Sequence, residues 1–464
     1  MTVYNSLARA GARIHCIAKR DKMFKFLESL ERNQWRSRPE LDEVVNRELS
    51  ALMHHVYETV PYYRRVFDER GLKPSDIQCQ ADLVKLPALT KQIIVQNYDD
   101  LTSPAHRDRL EWKATGGSTG EPMRFALEPE VKQWGNAAKL RSLHWAGYHL
   151  GDKQVLVWGS TFDLKRFASL GDRITRWVNR TCLLNAHVMS DEICGEYVAK
   201  IRRFRPRAIF GYANSLFVLA DYIDRNNITD VRPATVLSRA ETLLPERREV
   251  MERAFQCNVY DGYASRETSL LAHQCQQKDL YHTSSDTTIL EIIKDDRPAE
   301  PGEMGKVLLT DLKNYGMPFI RYQIEDMAVA GNEPCKCGRS LPTFKSIAGR
   351  MTDFIETPDG RVVHPTYAMY LFYPSVGEYS KMKGLRRYQI IQETETDLVI
   401  LLALKDGVSP DEYAFVEENF RSHFGSNMSI EVRFVDDIPL GPSGKRRYVV
   451  NNVRRNQAAG PAGE

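Results

Sequence analysis

The sequence predicts an α/β fold, with a large layered N-terminal domain and a small α+β C-terminal one, and three observations predict it. Between residues 129 and 255 short apolar runs alternate with segments of helical period, the pattern of a layered α/β unit. From Thr288 the runs become closely spaced and strand-like, separated by Pro-Gly and Tyr-Gly turns. Beyond the polar junction Gly349-Arg350-Met351-Thr352-Asp353 a separate set of strands and one helix follows, long enough for a domain of its own. The expected boundaries are 1–349 for the large domain, with a helical leader over about 1–100, and 350–456 for the small one. The small, polar tail 457–464 is expected to be disordered.

In the leader, Leu41, Val44, Val45, Leu49, Leu52 and Met53 recur at helical spacing until Pro61-Tyr62-Tyr63 breaks the pattern. Arg9, Arg13, Lys19 and Arg20 precede the first acid, Asp21, which suits a basic first helix, with a weak presequence as the alternative. The run Ala114-Thr115-Gly116-Gly117-Ser118-Thr119-Gly120-Glu121-Pro122 comes next. Its glycines let backbone N–H groups approach phosphate oxygens, and its hydroxyls add donors without bulk. Gly116-Gly117-Ser118-Thr119-Gly120 also fits Gly-x-Ser-x-Gly, but that elbow needs a helix straight after it, and Pro122 with the alternating residues 123–127 predicts a strand. No Lys-Ser or Lys-Thr follows a glycine, so it is not a Walker loop. A phosphate loop of another kind remains, beside an ordinary flexible turn.

Strands are expected at 154–158, 208–210 and 235–237, and helices at 129–145, 214–224 and 245–255. Further strands are expected at 289–293, 306–310 and 319–322. In the small domain the pattern gives strands at 389–392, 398–404 and 429–435 and a helix at 410–423, followed by a Gly/Pro loop that presents Lys445.

Lysine and arginine number 64 against 61 acidic residues, a net +3 spread along the chain, which gives no argument for nucleic acid or an acidic membrane as partner. Eight irregularly spaced cysteines without a secretory signal suit reduced thiols in the cytoplasm. No run is apolar and long enough to span a bilayer. Cys275, His282, Cys335 and Cys337 supply the donor types of tetrahedral zinc, with His273 as a rival, although spacing alone favours free thiols.

In this order the pieces resemble the adenylate-forming superfamily, most closely its phenylacetate-CoA ligase-like branch, which includes proteins of capsular polysaccharide biosynthesis. The glycine loop is similar to the family's phosphate loop, so the resemblance places ATP against Thr115, Gly116, Gly117, Ser118, Thr119 and Gly120. Ala240-Glu241 and Asp261-Gly262-Tyr263-Ala264-Ser265-Arg266-Glu267 resemble the paired nucleotide and substrate motifs, which implies Ala240, Glu241, Asp261 and Tyr263 at the nucleotide and Glu267 on Mg²⁺. Arg321-Tyr322-Gln323-Ile324-Glu325-Asp326 resembles the ribose-binding segment, with Asp326 on the ribose and Arg350 on ribose or phosphate. Tyr212, Gly262 and Ala264 would wall the acid pocket, Thr352 and Asp353 would form the hinge of a mobile small domain, and Lys445 would stabilise the adenylation transition state. The Pro-Cys-x-Cys-Gly-Arg element raises a closed, structural zinc site above the free-thiol reading.

The chain departs from the family pattern at Ala264, where glycine is usual, at Arg266, and at Glu121 beside the phosphate loop, which leaves substrate size and turnover open. The resemblance implies a cytoplasmic ligase, homodimeric by analogy. It would use ATP and Mg²⁺ to convert a compact or aromatic carboxylic acid to an acyl-adenylate and pass it to coenzyme A. Transfer to an amine or a carrier-protein thiol is the alternative, and a nucleotide-binding regulatory protein the second.

Overall fold

A computed structural model describes residues 21–114, 123–158, 170–186, 189–331, 333–350, 355–359, 362–363, 371–372, 384–425, 427–439 and 447–453. The first twenty residues, the glycine loop, Thr352-Asp353, Lys445 and the tail lie outside these. The chain forms two compact units, one holding most of the sequence before Ala348 and the other holding Glu325–Met327 and the chain from Ala348.

The first unit is built on a mixed sheet of twelve strands. One half is parallel, in the order Thr181–Asn185, Gln154–Trp158, Ala208–Tyr212, Thr235–Arg239, Val259–Ser265. Residues of Ala208–Tyr212 are buried throughout, as a central parallel strand covered on both faces requires. On one face Ile209, Val236 and Val259 pack with the helices Asp191–Phe204, Ala213–Arg225 and Pro245–Phe255. On the other, Phe210, Leu237 and Tyr260 pack with Leu143 of the helix Pro129–Trp145. Helices start where expected because proline occupies the first turn of both Pro129–Trp145 and Pro245–Phe255, where its missing N–H costs nothing.

At Val259–Ser265 the sheet turns antiparallel and continues through Ser269–Gln274, Tyr281–Thr283 and Thr343–Arg350. The strands Tyr322–Ala330, Met304–Asp311, Thr288–Lys294 and Arg297–Pro298 complete it. The edge strand Thr181–Asn185 is an addition to the expected set, since four of its five residues are at least partly exposed and carry no strand-like alternation. The strand expected at 319–322 begins instead at Tyr322. Arg321 adopts φ +51, and its guanidinium is held by Glu291 at 3.1 Å and the Leu86 carbonyl at 2.6 Å. This buried clamp bends the backbone, so Phe319 and Ile320 fill the core.

The leader is helical over Met23–Asn33, Arg38–Thr59, Pro61–Glu69 and Lys91–Gln96. Ser37 and Glu40 close the start of the second helix as a capping box, and Pro61 opens the third immediately after the second ends. Glu111–Ala114 and Arg124–Leu127 form an antiparallel pair, with Ala114 opposite Arg124, so the glycine loop is followed by a strand. The second unit contains a four-stranded sheet in the order Ser429–Phe434, Asp397–Leu404, Leu385–Gln392, Val449–Asn451. The helix expected there divides into a short turn, Pro410–Tyr413, and the helix Phe415–Phe424, whose Phe420 meets Phe372. No helix among the described residues is long and apolar enough to cross a membrane.

Asp311 is buried at the end of Met304–Asp311; its Oδ1 accepts from the Lys313 N–H at 2.9 Å and its Oδ2 has no partner among the described residues. Burial pushes this carboxyl up to about 7. The folded chain therefore holds the proton more tightly than the unfolded one, whose carboxyl titrates near about 3.9. The resulting stability is fully present below that value and is lost as pH rises through about 7. Asp311→Asn is expected to raise Tm at pH 8 and to leave it unchanged or lower at pH 4. Parallel Tm–pH curves for the two proteins would contradict this.

Candidate functional site

The sheet brings five residues into one row where it changes from parallel to antiparallel. Tyr212 pairs with Arg239, Arg239 with Gly262, Gly262 with His273, and His273 with His282. Paired residues on adjacent strands project to the same face, so this row lies on the side of the helix Pro129–Trp145, two residues beyond Phe210, Leu237 and Tyr260. Tyr212 is buried and stacks on Trp158 with ring centroids 4.1 Å apart. Gly262 lets its neighbours close over it, since a methyl group there would come within 2.9 Å of His273 Cδ2 and 3.4 Å of Arg239 Nε. His273 is 0% exposed, and its Nδ1 lies 2.5 Å from the Gln274 carbonyl. Burial, reinforced by the charge of Arg239, pushes this imidazole down to about 3 and keeps it neutral.

The corner after Thr235–Arg239 carries Ala240 at φ +69, a left-handed conformation that costs a non-glycine residue energy. It is held by Glu241, whose Oε2 accepts from the Asn214 N–H at 2.9 Å in the first turn of Ala213–Arg225, where the helix dipole favours a carboxylate. Asp261 projects to the opposite face and is buried, with Tyr281 Oη donating to its Oδ2 at 2.6 Å. Its carboxylate is thus engaged inside the fold. Tyr263 is buried with the large apolar cluster, and Ala264 is exposed. Glu267 follows in the turn to Ser269–Gln274, only 7% exposed, with Tyr322 Oη donating to its Oε1 at 3.4 Å. A buried carboxylate oxygen of this kind suits a hard cation such as Mg²⁺. Asp326 lies partly buried in the strand Tyr322–Ala330 and belongs to the second unit, as does Arg350, which ends Thr343–Arg350.

Arg239 escapes sequence reasoning, although it immediately precedes Ala240-Glu241. Its neighbours identify a strand end, but an arginine there ordinarily reaches solvent, and only the pairing with Tyr212 and Gly262 places it within the row.

A second constellation lies beside the row. The ligand atoms of Cys275, His282, Cys335 and Cys337 all fall within 4.8 Å of one another. Cys275 Sγ is 3.6 Å from Cys335 Sγ, and Cys337 Sγ is 3.4 Å from His282 Nε2. The pairing of Thr343 with His282 draws the loop bearing Cys335 and Cys337 against the strand Tyr281–Thr283. His273 is outside this group. Burial pushes the Cys275 thiol up to about 12 and the His282 imidazole down to about 4, so a cation would displace thiol protons while the imidazole already offers a lone pair. Three sulfurs and one nitrogen match the preference of zinc and leave no open position.

Residues 357–452 match the family described as the CapK C-terminal domain. Across 423 residues the chain is 24% identical to Protein CapK of Staphylococcus aureus, covering 89% of this chain and 90% of that protein. It is 27% identical over 331 residues to the phenylacetate-coenzyme A ligase of Escherichia coli, covering 68% and 72%. Among solved structures, 2-hydroxyisobutyryl-CoA ligase in the postadenylation state, in complex with 2-HIB-AMP, superposes with a TM-score of 0.70 over 91% of each chain at 18% identity. At that identity the likeness establishes a shared fold.

Proposed function

We propose that this chain, which belongs to the phenylacetate-CoA ligase-like and CapK branch of the adenylate-forming proteins, is an ATP-dependent acid–CoA ligase. The observation that carries the reading is the buried Glu267 carboxylate, in the turn between the strands Val259–Ser265 and Ser269–Gln274, within a chain similar to CoA ligases over most of its length. The acid's carboxylate oxygen attacks the α-phosphorus of ATP, forming the acyl–phosphate bond and expelling pyrophosphate. The coenzyme A thiol, losing its proton, then attacks the acyl carbon, forming the thioester and releasing AMP.

Glu267 is the residue that would hold Mg²⁺, which offsets phosphate charge when bound. Thr115 to Gly120 would donate to the phosphates and Asp326 would accept from the ribose hydroxyls. Arg350 would add positive charge, and Lys445 would stabilise the charge that develops at the α-phosphate. The Ala240-Glu241 corner would present backbone to the nucleotide. Thr352 and Asp353 would allow the second unit to reorient between the two half-reactions. Cys275, His282, Cys335 and Cys337 would hold a structural zinc ion. The substrates place the reaction in the cytoplasm.

The test is pyrophosphate release with ATP and Mg²⁺ against a panel of carboxylic acids, with and without coenzyme A. Release that depends on one acid and is accelerated by coenzyme A is expected. Acid-dependent release that is indifferent to coenzyme A would redirect the acyl group to an amine or a carrier thiol. Lys445→Ala is expected to reduce release by roughly 10²–10³-fold while ATP binding persists. Unchanged turnover in that variant would remove Lys445 from the reaction.

A further inference from the structure

The helix Leu170–Val178 carries an apolar stripe, Leu170, Ile174, Trp177 and Val178, at the spacing of one helix face. Such a stripe ordinarily packs against the layer beneath it. Here its C-terminal end is uncovered: Trp177 is 81% exposed and Val178 46% exposed, which makes Trp177 the most exposed large apolar side chain among the described residues. Apolar surface left open in this way marks a contact.

The surroundings are basic. Arg180, Lys153 and Arg207 immediately precede the adjacent strands Thr181–Asn185, Gln154–Trp158 and Ala208–Tyr212, so strand spacing brings their backbones within about 10 Å. The Trp177 carbonyl accepts from the Arg180 N–H at 3.1 Å, and the Arg180 carbonyl from the Gln154 N–H at 3.0 Å, which ties the apolar helix end to this row. Arg176 belongs to the last turn of the same helix, and Arg203 and Arg205 come from the end of Asp191–Phe204. Part of this charge serves the fold, since Lys153 donates to the Phe204 carbonyl at 3.0 Å and Arg207 to the Gly147 carbonyl at 2.9 Å. Arg203 and Arg205 are exposed and take part in no such bond among the described residues. The acids nearby are engaged: Asp152 is buried against Arg207, and Asp230 is paired with Arg202. Asp172 stands more than one turn before Trp177. The positive excess of the chain is spread along the sequence, and the fold gathers cations at this end.

We propose that this end of the large sheet docks on an anionic lipid surface, with Trp177 and Val178 at the boundary between headgroups and acyl chains and Arg176, Arg180, Arg203 and Arg205 facing lipid phosphates. A tryptophan suits that boundary because its ring is apolar and its N–H polar. Cations facing anionic headgroups strengthen what is otherwise a small apolar insertion. A nucleic acid would answer the cations and leave Val178 in water, and a second copy would set like charges against one another. The docking end holds the starts of the parallel strands, whereas Tyr212, Arg239 and the Ala240-Glu241 corner stand at their ends, so the lipid contact and the proposed reaction use opposite ends of the sheet.

The experiment is sedimentation of the full chain with vesicles of phosphatidylcholine, with and without phosphatidylglycerol. Binding is expected only where phosphatidylglycerol is present, and it should weaken as salt is raised. Trp177→Ala should bind on the order of tenfold more weakly. Arg203→Gln combined with Arg205→Gln should bind roughly 25-fold more weakly, since each cation at such a surface strengthens binding by roughly fivefold. Tm should be unchanged in both variants, because all three side chains are exposed. Brominated acyl chains should quench the fluorescence of the wild-type chain, and Trp177→Phe should remove that quenching. No binding to phosphatidylglycerol vesicles overturns the proposal, as does binding that Trp177→Ala leaves intact and removal of residues 1–20 abolishes, which would place the lipid contact in the basic leader. Tighter binding to a single-stranded oligonucleotide, lost in the same variants, would make this a nucleic-acid surface and overturn it. Self-association lost in Trp177→Ala would make a second copy the occupant, with the same consequence.

Discussion

Glu267→Gln is expected to lower acid-dependent pyrophosphate release by roughly 10²–10³-fold while the chain stays folded. The substitution keeps the side chain's shape, and its amide oxygen can still accept from Tyr322 Oη, which lies 3.4 Å from the Glu267 carboxylate. What disappears is the negative charge, and with it the preference for a hard cation at a site that is 7% exposed. The loss should therefore shrink as Mg²⁺ is raised, because mass action restores occupancy of a weakened site. A rate that falls by the same factor at every Mg²⁺ concentration would separate Glu267 from the metal. An undiminished rate would remove it from the site altogether.

The second large effect is structural. Wild-type chain is expected to contain about one zinc ion. Cys335→Ser is expected to lose it and to melt on the order of 10 °C lower, since removing one of four ligands costs several kcal/mol of metal-linked folding energy. Cys335 is buried 3.6 Å from Cys275, so the hydroxyl that replaces it inherits a sulfur-lined site it cannot close. Cys182, half-buried on the edge strand Thr181–Asn185, is the control: Cys182→Ser should retain zinc and most of its Tm. Metal analysis alongside thermal melting decides, and a wild-type chain free of zinc would return these four residues to a reduced thiol cluster.

Both predictions concern residues that the sequence itself singles out, for different reasons. Glu267 stands out because it closes a run, Asp261 to Glu267, whose order resembles a known family. The zinc ligands stand out by donor type, against a spacing that argues for free thiols. What the structure adds is their approach: Cys275 and Cys335 are separated by 60 positions, and the pairing of Thr343 with His282 closes that distance.

The sequence alone determined the helices Pro129–Trp145 and Pro245–Phe255, the strand Gln154–Trp158 and the α/β class, because apolar period and proline at a helix start act within a few residues. The tertiary structure alone decided the edge strand Thr181–Asn185, the bend at Arg321, the placement of Asp261 against Tyr281, and the position of Arg239 between Tyr212 and Gly262. Each of these depends on strand register or on a buried partner many positions away. Local composition carries no record of which strand will lie alongside, and that neighbour determines whether an arginine ends in solvent or against the covered face of a sheet.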